Sequence, residues 1–204
     1  LAKRSKVILD IGANTGYFAL MAARINPEAH VYAFEPVERV YKLLVNNRKR
    51  NGLRNLTAIM AAVADFDGEI DLYVPRGETP SSASTREGFR RRSVTRVPVP
   101  ALKIDSYARR KNLERIDLAK IDTESTEPAA LRGMSEILGR DSPIVICEVL
   151  NGRTEEDLMK FLPRFGYRYY HITDKGLEPR DEIVGDITYR FSNYLFSRTK
   201  VDLG

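Results

Sequence analysis

Cysteine occurs once and histidine twice in the 204 residues, and no apolar run approaches the roughly 18 residues that cross a bilayer. The lone Cys147, inside IVICEV, cannot form an intrachain disulfide; it reads as a buried, inert thiol in a reducing compartment. No Cys/His grouping has zinc spacing. Nothing at the start reads as a signal peptide, so a cytoplasmic location is expected. The chain opens on Leu1 rather than Met, which reads as missing N-terminal residues. There is no internal repeat and no linker, and 43% hydrophobic content supports a full core, so one domain over residues 1–204 is expected.

Charge is present but uneven. The net value is +5, and the segment Arg76 to Arg96 carries six Arg against two Glu. A lid over an acceptor site, with an anionic acceptor, is the expectation for that segment. The same excess raises a rival reading, a basic RNA-binding module. Phe89 is the sole aromatic there, so stacking platforms for bases are not evident and nucleic acid is not the expected partner.

Strand and helix patterns alternate from the first residues. KVILDI (6–11) is followed by a helix pattern with Phe18, Met21, Ala22 and Ile25 on one face. HVYAF (30–34) precedes a second helix pattern that stops near Gly52. Leu56 to Val63 reads as a third strand. Continuous apolar strands separated by helices predict a parallel sheet covered on both faces. GEIDLYV (68–74) and RVPVPAL (96–102) alternate or carry proline, as edge strands do. The alternation then resumes through Ile116–Ile121, a helix with Leu131, Met134, Ile137 and Leu138, and the strand Ile144–Val149. YRYYHI (167–172) and SNYLFS (192–197) close the chain without a crossover helix, which predicts an antiparallel pair.

Two stretches carry the chemistry of a ligand site. In ILDIGANTGYF, Gly12 and Gly16 let backbone approach a ligand where a helix begins. A dinucleotide turn wants glycine where Asn14 stands, and the acid Asp10 suits a cationic ligand better than a pyrophosphate. Glu35 ends the second strand, where a carboxylate accepts hydrogen bonds from a ribose diol. Together they favour an adenosyl ligand without a pyrophosphate, and S-adenosylmethionine is one. The second stretch, KIDTESTEP, gathers Asp122, Glu124 and Glu127 at a strand end before a helix start. Pro128 there suits a first turn, Ser125 an N-cap, and Glu127 a solvated helix start.

VILDIGANTGYFAL, AFEP, AAVADFDGEIDLYV, KIDTESTEPAALRGM, IVICEV and NYLF together resemble the FkbM-type S-adenosylmethionine-dependent methyltransferases over nearly the whole chain. Lys120, Asp122, Glu124, Glu127, Leu131 and Gly133 match that family's pattern, whereas its glycine is Ser125 here. If that glycine serves a positive φ, Ser125 strains the turn. The resemblance implies a Rossmann-like, doubly wound α/β fold with a seven-stranded mixed sheet, an antiparallel C-terminal strand pair and a β-hairpin insertion. It implies O-methylation of a small molecule, sugar or secondary-metabolite scaffold. The cofactor would be held by Asp10, Ile11, Gly12, Asn14, Gly16, Tyr17, Phe18, Glu35, Pro36, Ala62 and Asp122.

Asp122, Glu124, Glu148 and His171 are the candidate catalytic residues. Asp122 is expected to orient the acceptor hydroxyl while Lys120 points elsewhere, and His171 is a candidate base. Asp122 and Glu148 have the oxygen chemistry of a Mg²⁺ site, but no metal is assigned. A non-catalytic cofactor-binding homologue is the reading that Ser125 raises. A nicotinamide oxidoreductase is opposed by Asn14 and the terminal strand pair.

Overall fold

The computed structural model describes residues 1–75 and 94–201. The first half comprises β1 (Val7–Ile11), α1 (Tyr17–Ile25), β2 (His30–Phe34), α2 (Glu38–Arg50) and β3 (Leu56–Ile59). It is followed by β4 (Ala62–Val63), β5 (Gly68–Pro75), β6 (Val94–Leu102) and α3 (Ile104–Lys111). The second half holds β7 (Leu118–Ile121), α4 (Glu127–Arg132), α5 (Ser135–Arg140), β8 (Ile144–Glu148) and α6 (Glu155–Phe161). It ends with β9 (Arg168–Thr173), β10 (Gly176–Arg180) and β11 (Asn193–Ser197).

The main sheet runs β10-β9-β11-β8-β7-β1-β2-β3. β3, β2, β1, β7 and β8 are parallel, and β11 inserts antiparallel between β8 and β9. The strand order reverses at β1, which lies between β2 and β7. In such sheets the ligand crevice opens at the carboxyl ends of the strands beside that reversal. The sheet has eight strands among the described residues rather than seven. The extra one, β10, pairs antiparallel with β9. Its sequence GLEPR carries Pro179 and two charges and has no apolar run, so only its pairing at the sheet edge makes it a strand.

β4, β6 and β5 form a separate three-stranded sheet, with β5 and β6 as the inserted hairpin. The stretch expected as one strand, Leu56 to Val63, breaks after Ile59: β3 pairs with β2, whereas β4 turns away to pair with β6. The arginine-rich segment expected as a lid lies outside the described residues from 76 to 93; Arg96 is on β6 and pairs with Asp71. No helix among the described residues is long and apolar enough to cross a membrane.

Period-two alternation splits the core across the sheet. Leu9, Ile11, Ala119, Ile121, Val145 and Cys147 enter one buried cluster with α3 to α6. Ile8, Val31, Ala33 and Leu118 enter the other, against Ala19, Ala22 and Ala23 of α1. The helix expected around Leu131 to Leu138 is two helices. A Cβ at Gly133 would lie 2.0 Å from the Ala64 carbonyl oxygen, so the chain is pressed against the neighbouring loop where the helices part. Helix α3, which no sequence pattern singled out, packs Tyr107 edge-on to Phe34 at 5.2 Å.

Candidate active site

The alternation that sorts the core also sorts the charges. On β1, Asp10 shares a face with Ile8; on β7, Lys120 shares it with Leu118, and Asp10 and Lys120 are register partners. Asp122 lies two residues beyond Lys120, and Glu148 two beyond Ile146. One step past the paired Ile121 and Cys147, they come opposite one another at the carboxyl edge of the sheet. Glu35 follows Phe34 onto the same face as Ala33.

A cleft of about 240 Å³ opens at this edge. Its lining is partly apolar, from Phe34, Val37, Ala62, Val63 and Leu72, and partly acidic, from Glu35, Asp122, Glu124 and Glu148. Gly12, Asn14 and Pro36 complete the floor beside Glu35. Of the expected cofactor residues, Gly12, Asn14, Glu35, Pro36, Ala62 and Asp122 line this cleft.

The others are placed differently. Asp10 is wholly buried and off the cleft wall; its Oδ2 accepts the N–H of Ala19 at 3.0 Å, which ties β1 to α1. Ile11 belongs to the core, and Phe18 packs against the α1-side cluster. Tyr17 is 77% exposed at the start of α1. Gly16, the N-cap of α1 at φ 94°, serves packing: a Cβ there would lie 2.4 Å from Leu44 Cδ1.

The glycine turn is closed by its own hydrogen bonds. The N–H groups of Gly12 and Ala13 both donate to the Phe34 carbonyl, at 3.0 and 2.9 Å, and that of Gly16 donates to Ala13 O at 2.8 Å. Asn14 N donates to Glu35 Oε2 at 2.9 Å, and Thr15 N donates to Asn14 Oδ1 at 2.7 Å. Asn14 adopts φ 51°, a left-handed conformation that asparagine tolerates. Every amide from 12 to 16 is therefore spent within the protein, whereas a pyrophosphate turn needs such donors aimed at the ligand.

Glu35 Oε1 accepts a second backbone bond, from Val37 at 2.9 Å. Burial, opposed by these two bonds, lifts its pKa to about 7. Burial likewise lifts Asp10 to about 6, against the pull of Lys120 and the Ala19 bond.

On the opposite wall, Lys120 Nζ donates to Asp122 Oδ2 at 2.9 Å. The two side chains share a face, as residues two apart on a strand must; the expectation that Lys120 points elsewhere is corrected. Burial lowers the Lys120 pKa, but Asp122, Asp10 and Glu148 outweigh it and hold the ammonium above its ordinary value. Glu148 is pushed to about 8, by burial first and then by Asp122, Glu127 and Glu124, and a side-chain hydrogen bond to Asp122 adds to the rise. Its Oε2 is shielded from solvent and has no hydrogen-bond partner.

The loop after β7 is tighter than its sequence suggested. Glu127 is fully buried rather than a solvated helix start. Its Oε1 accepts the N–H groups of Thr123 and Ser125, at 2.9 and 3.1 Å, and the Thr123 hydroxyl at 3.1 Å. Glu124 and Ser125 both have positive φ, 56° and 80°. Ser125 thus occupies the conformation that favours glycine. It does not cap α4: Thr126 is at that position, and the buried Ser125 Oγ has no partner.

His171 is not brought to the cleft. Its Nε2 bonds the Phe191 carbonyl at 2.7 Å, and its ring stacks on Tyr194 at 4.7 Å. His30 starts β2 at the other end of the sheet and contacts Thr57. Cys147 is buried. Among the described residues, no group of three or more His, Cys, Asp or Glu could hold a metal ion.

The family model for the methyltransferase FkbM domain matches residues 10–169. Methyltransferase sdnD of Sordaria araneosa is 28% identical over 158 residues, 63% of this chain and 60% of that protein. The 2-O-methyltransferase NoeI of Sinorhizobium fredii is 27% identical over 150 residues, 68% of this chain and 61% of that protein. The chain thus spans about three fifths of the length of these relatives. Among solved structures, the methyltransferase FkbM of Methylobacillus flagellatus shares the fold at a TM-score of 0.61 and 15% identity, over 95% of this chain and 43% of that one. Aeropyrum pernix fibrillarin, solved with S-adenosylmethionine bound, does so at 0.56 and 15% identity, over 96% and 67%.

Proposed function

The chain belongs to the FkbM methyltransferase family, and from that premise we propose that it transfers the methyl group of S-adenosylmethionine to a hydroxyl oxygen. The acceptor class is a small molecule, a sugar or a secondary-metabolite scaffold; the name of NoeI supports a hydroxyl, and the Arg-rich segment supports an anionic acceptor. The observation that carries the choice of donor is the contrast within the cleft. The turn amides are already donated, so a pyrophosphate finds no cradle, while the walls present acids to a ligand bearing positive charge.

Glu35 would hold the ribose hydroxyls with the lone pairs its two amide bonds leave open. The apolar lining, Phe34, Val37, Ala62 and Leu72, would take the adenine. Asp122 and Glu124 would face the amino-acid end and the acceptor. S-adenosylmethionine supplies an already activated methyl group, so the protein's task is alignment and exclusion of water.

A thermal-shift titration tests this. S-adenosylmethionine and S-adenosylhomocysteine should raise the melting temperature and NAD should not. Glu35→Ala should remove most of the rise, because hydrogen bonds to an ionised acceptor contribute about 1.5–3 kcal/mol each. An equal rise with NAD would sink the assignment.

A further inference from the structure

Resting on the methyltransferase reading, we propose that Glu148 takes the proton of the acceptor hydroxyl, and that the positive charge of the bound cofactor holds Glu148 ionised until the methyl group has left. Most other acids at this edge already hold partners of their own or lie off the cleft wall. Asp122 Oδ2 receives the Lys120 ammonium, and both Glu35 oxygens receive backbone amides. Asp10 and Glu127 also have one oxygen without a partner, but they are buried off the cleft wall, holding α1 and the 123–127 loop. Glu124 lines the cleft in a left-handed turn. Glu148 lines the cleft and keeps an oxygen without a partner, and an ionised, desolvated oxygen with no donor is costly.

The charges facing Glu148 explain how that cost is met. From β7 comes Lys120, from the following loop come Asp122 and Glu124, from α4 comes Glu127, and Cys147 precedes it on its own strand. On the other side, β11 brings Asn193 opposite it, and His171 of β9 is turned to Phe191 and Tyr194. Burial first, and then acids that outnumber the single cation among the described residues, hold the Glu148 carboxyl well above the ordinary carboxylate range and so favour its protonated form. A sulfonium entering this wall reverses the balance and releases the proton.

The transfer then conserves charge. The acceptor oxygen bonds the methyl carbon as the carbon–sulfur bond breaks, its electron pair staying on sulfur, and the hydroxyl proton passes to the Glu148 carboxylate. One positive and one negative charge become a neutral thioether and a neutral acid. A carboxylate with a raised pKa is also the stronger base for a hydroxyl.

Calorimetric titration in buffers of different ionisation enthalpy counts the protons moved, without any acceptor. At pH 7, S-adenosylmethionine should release about one proton more per molecule bound than S-adenosylhomocysteine, because any proton that Glu35 gives up when the ribose binds is common to both ligands. In Glu148→Gln both ligands should still bind, with no difference in proton count. Equal counts for the two ligands in the wild type, or a difference that survives in Glu148→Gln, would overturn the assignment of Glu148. Failure of both ligands to bind would instead overturn the methyltransferase reading beneath it. The wild-type comparison needs no variant, so a misfolded Glu148→Gln would not shelter the proposal.

Discussion

The two walls of the cleft hold their carboxylates in opposite ways. On the β1–β2 side, both Glu35 oxygens are fixed by backbone amides, of Val37 and Asn14, while behind that wall Asp10 takes the Ala19 amide on Oδ2 and leaves Oδ1 without a partner. On the β7–β8 side, Asp122 is held by a lysine side chain and Glu148 keeps an unpaired oxygen. Backbone donors cannot move without moving the fold, so the first wall suits binding a constant ligand. A side-chain pair beside an unsatisfied acid leaves room for protons to shift, and suits reaction. Preorganised donors and adjustable charges are different tools.

The largest expected effect comes from striking the point where the walls touch. A Cβ on Gly12 would lie 1.8 Å from the Asp122 carbonyl oxygen, and its φ of 77° disfavours any other residue. Gly12→Ala should therefore cost about 4 kcal/mol or more of stability. Urea denaturation would show this as a lower midpoint. A midpoint within error of wild type would mean that the walls slide freely past each other, and the contrast between them would lose its basis.

A second, smaller effect sharpens the comparison through pH. Asp10, Glu35 and Glu148 have folded pKa values raised to about 6, 7 and 8, from 3.8, 4.5 and 4.5. The folded state holds these protons more tightly than the unfolded chain. Their stabilisation is complete below about pH 4 and is lost as pH rises through 6, 7 and 8. Asp186, lowered to about 2 by the Thr188 and Phe191 amides, acts only below that window. The ligand-free protein should melt several degrees lower at pH 8.5 than at pH 5, each kcal/mol being worth about 2–4 °C at this size. Glu35→Gln should flatten the curve near pH 7 and Glu148→Gln near pH 8. A melting temperature that rises across pH 5 to 8.5 would contradict the burial of both walls' acids.

The smallest effect concerns the loop beneath the reactive wall. Ser125→Gly relieves a φ of 80° and removes a buried hydroxyl without a partner, at the cost of a freer unfolded chain. The balance should favour the variant by about 0.5–1 kcal/mol. A loss of stability would show that Ser125 Oγ has a partner in solution.

Much of the first wall is legible in the amino-acid sequence. The Gly12 turn, Glu35 at the end of HVYAF and the lack of a glycine at position 14 are local signals, written within about 25 residues. The inserted hairpin and the antiparallel ending are readable too, from proline, alternation and the lack of a crossover helix. The second wall is legible as a list of acids but not as an arrangement. Asp122 and Glu148 do reach the cleft. Asp10, expected at the cofactor, turns inward, and Glu127 is a buried brace. His171 looks like a base because imidazole is a common one, yet Phe191 and Tyr194 already claim it. The signal that could place Lys120 beside Asp122 is present: residues two apart on a strand share a face.

What the sequence determined by itself was periodic and local: which stretches alternate with period two, where glycine must turn the chain, and which acids end strands. The tertiary structure alone decided which of those acids meet. β1 and β7 are neighbours in the sheet although more than 100 residues separate them, and their register sets Asp10 against Lys120. It brings Asp122 opposite Glu148 and makes the edge strand β10 from a segment with no strand pattern of its own. Backbone pairing across the sheet fixes those contacts, and a carboxylate's charge depends on the neighbours and the burial that pairing gives it.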